Sequence, residues 1–304
     1  MTHKFDTGLD RYPFSAIVDR PGYRWKNGTG LAVYFALNIE AFEFGRNPGN
    51  DFTSMPSAPY HRGYAYRDFG NRVGVWRIKQ LFDEFDMPLA VLANSSVYDA
   101  YPRVLDAFRE RGDEFVGHGR TNSERQIDMD EAQERHMISQ VVSNMHAAEG
   151  HPPAGWLGPF ISQSARTPEL LKEQGFTYML DWFFDEQPVW FRTDNGPILA
   201  VPYPSMELND LPAYVNRGAS DSDFTRMLID AFDEQLEQSK TTPLVYCVSL
   251  HTFLSGQPQR IRQLRTVLAH IQSKRDEVWF TTPGEIAGHV ADLPLGTVPG
   301  DERS

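Results

Sequence analysis

The chain has 304 residues, of which 40% are hydrophobic, and its formal net charge is −12. This acidic balance argues against binding to a nucleic-acid backbone or to an anionic membrane surface, because both need clustered Lys and Arg. A single cysteine, Cys247, excludes an internal disulfide framework, and its apolar surroundings indicate a buried structural thiol.

The amino-terminal residues have no apolar stretch behind a basic start, and no run of eighteen apolar residues occurs in the chain. We therefore expect a cytoplasmic protein that acts on a small molecule and binds neither nucleic acid nor membrane.

The first predicted element follows an irregular lead-in over residues 1–29. Leu31, Val33, Phe35 and Leu37 alternate within an apolar, β-prone run that ends at Glu40. A carboxylate at the carboxyl end of a buried strand is costly to desolvate, so it usually has a chemical task. The segment 45–70 then predicts a long loop, of the kind that serves as a lid, a binding loop or an oligomer contact.

Helices and strands alternate through the rest of the chain. Helical spacing or capping signals predict helices over 73–85, 101–110, 130–149, 221–238 and 257–273. A further helix is predicted to begin with Thr167 as its N-cap. Strand patterns occur over 88–93, 115–118, 155–159, 178–181, 198–203, 244–251 and 277–280. This alternation predicts βα units, a mainly parallel sheet and one barrel-like domain over 1–304.

Four ionisable residues fall at the ends of predicted strands: Glu40, His118, Asp181 and His251. The carboxyl ends of parallel strands gather at one rim of a barrel, so we expect these side chains to meet there. A carboxylate that deprotonates water, two imidazoles and an acid that orients one of them form a hydrolytic set. Asp185 competes with Asp181 for the last role.

Substrate contacts are predicted next to this rim. Glu207, Asn209 and Asp210 follow a strand, where they either bind a polar substrate or form an Asx turn. Aromatic residues nearby in the sequence either wall a flat pocket or belong to the core. They are Phe42, Phe44, Trp156, Phe160, Trp182 and Phe183.

These motifs resemble the polysaccharide deacetylase superfamily, over about residues 10 to 290, and most closely its branch of cytoplasmic amidohydrolases with deacetylase-type allantoinase and cyclic imide hydrolases. The landmarks are Leu37-Asn38-Ile39-Glu40, Gly74-Val75-Trp76-Arg77, Gly117-His118-Gly119, Glu207-Leu208-Asn209-Asp210 and Ser249-Leu250-His251. The resemblance implies a distorted (β/α) barrel with about seven parallel strands. It also implies that Glu40 is the base, His118 the first histidine of a metal motif, His251 the general acid, and Asp181 its orienting acid.

The chain departs from the family pattern at the metal site. Ala41 replaces an acidic ligand, and Asn122 replaces the second histidine of the motif. Either the enzyme works without a metal, or it binds Zn²⁺ through His118 and His251 with Glu40 or Asp181, since two histidines and a carboxylate are an acceptable zinc set.

We therefore expect hydrolysis of a C–N bond in a small cyclic amide, imide or ureide, in an allantoinase-like or imidase-like reaction. One alternative is N-deacetylation of an acetylated amino sugar or oligosaccharide. Another is a catalytically silent, ligand-binding member of the family. The resemblance also implies a homodimer or homotetramer.

Overall fold

A computed structural model describes residues 9–46, 61–204 and 206–303. In these residues nine strands form one curved, mostly parallel sheet, a half-barrel flanked by helices. The strands are β1 Leu31–Ile39, β2 Ala90–Ala93, β3 Glu114–Gly117, β4 Gly155–Trp156, β5 Tyr178–Met179, β6 Val189–Phe191, β7 Ile198–Ala200, β8 Leu244–His251 and β9 Val278–Phe280. Their order is β6-β7-β5-β4-β3-β2-β1-β8, with β9 also paired to β1.

The predicted distorted (β/α) barrel is confirmed. Eight strands run parallel where about seven were expected, and β6 pairs with β7 in the antiparallel direction. The sequence analysis missed β6, because Val189–Phe191 is only three residues long and follows the turn-rich segment that precedes it.

Strand β1 pairs with β2, β8 and β9 and is buried along its whole length. Its side chains alternate between two apolar clusters: Val33, Phe35 and Leu37 pack under the outer helices, whereas Tyr34 and Ala36 face the barrel interior. Because successive side chains of a strand point to opposite faces, Asn38 points towards the interior, as Tyr34 and Ala36 do.

The helices in the described residues are α1 His61–Phe69, α2 Val75–Phe85, α3 Val97–Ala100, α4 Pro102–Arg109, α5 Glu131–Glu149, α6 Thr167–Glu173, α7 Asp221–Gln238, α8 Thr252–Ser255, α9 Pro258–Gln272 and α10 Pro283–Asp292. The predicted boundaries agree within a few residues, but α10 and the short helices α3 and α8 were not predicted. Thr167 is the first residue of α6, and Arg166 occupies the N-cap position where Thr167 was expected.

The predicted loop over 45–70 is wrong in its second part. Residues 47–60 lie outside the described part of the chain, but α1 begins at His61 and continues through a π-helical turn, Gly70–Gly74, into α2. Gly74 packs directly against α8: a Cβ on Gly74 would lie 2.1 Å from the carbonyl oxygen of Thr252. This close contact ties the helical segment to the turn that follows β8.

None of the helices in the described ranges is long and apolar enough to cross a membrane.

Candidate active site

A cavity of about 280 Å³ opens at the carboxyl ends of β1, β3 and β8. Parallel pairing aligns these ends, since Asn38 of β1 lies beside His251 of β8, and Ile39 lies beside Ala93 of β2. Three of the four predicted catalytic residues, Glu40, His118 and His251, line this cavity. Asp181 does not belong to the lining.

Glu40 lies at the base of the cavity and is 6% exposed. Its Oε1 accepts a hydrogen bond from the side-chain amide of Asn122 and lies 3.5 Å from His118 Nε2 and 3.7 Å from His251 Nε2. Its Oε2 is buried without a hydrogen-bond partner. Burial opposes ionisation, but the positive charges of His251 and Arg67, together with the neighbouring His118, outweigh it and hold the pKa of Glu40 below its ordinary value.

His118 follows β3 and has a fixed orientation. Its Nδ1 lies 2.7 Å from the carbonyl oxygen of Leu157, which can only accept, so Nδ1 carries the proton. Nε2 is buried without a hydrogen-bond partner and points towards Glu40. His118 therefore presents a single ring nitrogen to whatever occupies the cavity.

His251 ends β8, and Asp210 orients it. Asp210 is fully buried; its Oδ1 lies 2.6 Å from His251 Nδ1, and its Oδ2 accepts hydrogen bonds from the His251 amide and the Ser255 hydroxyl. Although burial lowers the pKa of His251, the carboxylates of Asp210 and Glu40 raise it above its ordinary value. This pairing favours an imidazolium whose Nε2 faces Glu40.

The predicted role of Asp181 is therefore wrong, because Asp210 and not Asp181 holds His251. Asp181 lies behind the cavity, where its Oδ1 accepts a hydrogen bond from the Gly158 amide at 2.9 Å. Asp210 in turn was predicted to contact substrate, but it is fully buried against His251 and Ser255.

Asn122 is held by a second amide, Asn94, which the sequence analysis missed. Asn94 follows β2 and is fully buried; its Oδ1 accepts from the Ala41 amide, and its Nδ2 donates to Asn122 Oδ1 at 2.8 Å and to the carbonyl oxygen of His118. These contacts fix the orientation of the Asn122 amide, so its nitrogen faces Glu40. The only sequence signal was the position of Asn94 after a predicted strand.

Arg67 of α1 is a second residue that sequence reasoning missed. It is 3% exposed, lines the cavity, and lies over the rings of Phe42 at 4.9 Å and Phe253 at 5.7 Å. Its charge lowers the pKa of both Glu40 and His251. Because α1 was predicted as loop, no periodic pattern pointed to this buried cation.

The predicted substrate contacts are only partly brought to the cavity. Asn209 lines it, as do Phe42 and Phe160. Glu207 is exposed and pairs with Arg217 at 3.0 Å. Both tryptophans pack elsewhere: Trp156 against Phe176, and Trp182 against Phe191. Phe44 is exposed, and Phe183 lines a neighbouring surface pocket.

The donor set does not fit a zinc ion. Among the residues that the structure describes, no group of three His, Cys, Asp or Glu side chains is arranged to hold a metal. Both imidazoles face the same oxygen, Glu40 Oε1, and that oxygen already accepts the hydrogen bond from Asn122. Asp181 is turned towards Gly158. We therefore derive no catalytic step through a metal.

Known proteins resemble this chain over most of its length. The protein from Schizosaccharomyces pombe named "Putative polysaccharide deacetylase" is 29% identical over 298 residues, which cover 86% of this chain and 91% of that protein. A peptidoglycan deacetylase of Helicobacter pylori is 23% identical over 250 residues, or 72% of this chain and 84% of that one. The crystal structure of the allantoinase PuuE matches with a TM-score of 0.81 and 28% identity, covering 94% of this chain and 100% of that chain. No protein-family model matches the sequence.

Proposed function

Because the homologues and structural neighbours of this chain are polysaccharide deacetylase-family proteins, as its motifs predict, we propose that it hydrolyses a C–N bond other than a peptide bond in a small cyclic amide, imide or ureide. The similarity to the allantoinase supports a ring substrate.

The observation that carries the proposal is the environment of Glu40. One carboxylate oxygen, Oε1, is fixed by Asn122 and faced by the two imidazoles, whereas the other, Oε2, is buried and has no partner. A carboxylate that stays ionised and keeps one unpaired oxygen at the base of a cavity can accept a proton from water.

The reaction begins when Glu40 Oε2 removes a proton from a water molecule, and the resulting hydroxide attacks the ring carbonyl. The carbonyl oxygen becomes an oxyanion, which the positive charge of Arg67 in the cavity lining stabilises. The C–N bond then breaks, and the imidazolium of His251 gives its Nε2 proton to the leaving nitrogen. Asp210 holds that imidazolium through Nδ1. The products are a carboxylic acid and the freed nitrogen group of the same opened ring.

The size and lining of the cavity support a small substrate. A volume of about 280 Å³ is close to the lower end of ligand pockets, which suits one ring better than an oligosaccharide. Phe42, Phe160 and Phe253 supply apolar walls, whereas Asn38 and Asn209 supply amides. A flat ring with polar edges matches this mixture.

N-deacetylation of an amino sugar is the second candidate, because one relative is a peptidoglycan deacetylase. The same carboxylate and histidines would attack an acetamide and release acetate.

The predicted homodimer or homotetramer stays a prediction, which the mass measured by light scattering would test.

The test is a turnover panel with purified protein: allantoin, hydantoin, dihydrouracil, succinimide, phthalimide and an N-acetylated chito-oligomer. Each is assayed as purified, after chelation, and after zinc is added back. We expect ring opening of at least one cyclic substrate, unchanged by the chelator.

Two outcomes would contradict the proposal. Acetate release from the oligomer, with no ring opened, would assign the chain to deacetylation. Ring opening that is lost on chelation and restored by zinc would keep the substrate class but overturn the metal-free chemistry of Glu40.

A further inference from the structure

One wall of the cavity is backbone held in an unfavourable conformation. Leu157, Gly158, Phe160 and Ile161 line the cavity. Phe160 has φ of 59° and Ile161 has φ of 52°, both in the left-handed region that residues with a Cβ avoid, and Ile is β-branched. Such strain persists only where the surroundings over-determine it, and it gathers at functional sites.

Two buried acceptors lie together behind this wall. A Cβ on Gly158 would lie 2.7 Å from Asp181 Oδ1 and 2.3 Å from Gln126 Oε1, so both side chains crowd the same glycine. Asp181 Oδ2 and Gln126 Oε1 are each buried without a hydrogen-bond partner. Neither a carboxylate oxygen nor an amide oxygen can donate, so an ionised Asp181 has no proton to offer the amide oxygen of Gln126.

Rotation of the Gln126 amide does not remove the conflict. Its nitrogen donates to Glu134 Oε1 at 2.7 Å, and Glu134 Oε2 also accepts from the Ser164 hydroxyl at 2.6 Å. Glu134 is fully buried on α5 and needs these donors. The oxygen of Gln126 must therefore face Gly158 and Asp181.

We propose that Asp181 is a positioning residue that works as a neutral acid: it accepts the Gly158 N–H, donates its own proton to Gln126 Oε1, and so fixes the strained cavity wall. This role rests on the proposed function, because the wall it fixes lines the substrate cavity. The cavity wall also orients His118, because the carbonyl of Leu157, the residue before Gly158, accepts the hydrogen bond from His118 Nδ1.

The electrostatic surroundings agree with a bound proton. Burial raises the pKa of Asp181 to about 7, against the opposing effect of the hydrogen bond from Gly158. In the described residues the charged group that acts on it from a neighbouring element is Glu134, which raises the pKa further. Because the folded pKa lies above the ordinary value, the stabilisation by Asp181 is full at low pH and is lost as pH rises through about 7.

The test compares the melting temperatures of wild type, Asp181→Asn and Asp181→Ala at pH 5 and pH 8, without substrate. Asparagine copies the neutral acid, since its oxygen can accept from Gly158 and its nitrogen can donate to Gln126. We expect Asp181→Asn to gain melting temperature relative to wild type between pH 5 and pH 8. A difference in melting temperature between Asp181→Asn and wild type that is the same at pH 5 and pH 8 would mean that Asp181 is already ionised at pH 5, and it would overturn the proposal.

Asp185→Asn is the matched control, because it removes another carboxylate of the same loop. The carboxylate of Asp185 pairs with Arg20 at 2.5 Å. This substitution should lower the melting temperature about equally at both pH values. On a ring that the enzyme opens, Asp181→Asn at pH 6 should keep kcat/KM within about threefold, whereas Asp181→Ala should lose at least about tenfold. The melting comparison needs no substrate, so it stands even when the panel shows no turnover.

If Asp181→Asn fails to fold, the wild type still decides the question. Carboxyl carbons labelled in aspartate can be titrated by nuclear magnetic resonance. One signal should titrate with a midpoint of about 7. A spectrum in which every aspartate carboxyl titrates below about pH 6 would overturn the proposal.

Discussion

Replacing Asp210 with asparagine should disable the general acid while leaving the cavity intact. Asp210 accepts three hydrogen bonds, two from His251 and one from Ser255. A hydrogen bond to a charged group contributes about 1.5–3 kcal/mol, so losing the charge should reduce the imidazolium fraction of His251 roughly ten- to a hundredfold above its pKa. An asparagine nitrogen facing Nδ1 would also force the wrong tautomer, so kcat should fall by at least about a hundredfold.

The assay is kcat/KM against pH on a ring that the wild type opens. Because the pKa of His251 is raised in the folded protein, wild-type activity should fall only as pH rises through that raised value, and this alkaline limb should move to lower pH in Asp210→Asn. Glu207→Gln is the control: it removes an exposed carboxylate three residues away and should leave the profile unchanged. An Asp210→Asn enzyme with the wild-type alkaline limb would refute the assignment of His251 as acid.

Three further outcomes follow from the same geometry. Glu40→Gln should lower kcat by at least about a hundredfold with little change in melting temperature, and near-full activity would remove Glu40 from the role of base. Asn122→Ala should move the acid limb of kcat/KM to higher pH, because it removes the hydrogen bond that stabilises ionised Glu40, and an unmoved limb would contradict that account. Gly158→Ala should cost about 1–3 kcal/mol of stability, since its Cβ would lie 2.3 Å from Gln126 Oε1. Gly288→Ala, at a helix position with nothing within 4 Å, should be neutral or stabilising in the same melting experiment.

The parts of the fold that the sequence predicts are those with a strong local signal. β1 and β8 are long apolar runs, and α5 and α7 begin with capping boxes at Asp130 and Ser220. The short β6 and the helix α1 carry little periodic pattern. α1 contains Gly63, which favours a loop prediction, and its helical state depends on packing against α8 that the sequence does not reveal.

The absence of a local sequence signal also explains why the wrong acid was assigned to His251. Asp181 falls at the end of a predicted strand, where catalytic residues are expected in a barrel, and the family resemblance also pointed to it. Asp210 lies after a turn, and its place is set by a parallel bridge between Asn209 and Ser249 and by the bond from the Ser249 amide to the Leu208 carbonyl. That bridge continues the sheet beyond β8 and brings residue 210 beside residue 251. A contact of this kind joins segments forty residues apart and leaves no periodicity in either.

The departure from the metal motif that the resemblance implies was visible in the sequence, but the arrangement of the residues at those positions was not. Ala41 and Asn122 occupy two positions where the resemblance implies metal ligands, whereas the structure shows that the Asn122 amide donates to Glu40 and that Asn94 holds it by contacts with Ala41 and His118. An asparagine side chain can donate or accept, so its residue type alone does not say which end faces the carboxylate. The orientation follows from the Ala41 amide, which can only donate and therefore fixes the Asn94 oxygen, and with it the whole chain of amides. Substituting Asn94 should thus disturb Glu40 through Asn122, although Asn94 itself never reaches the cavity.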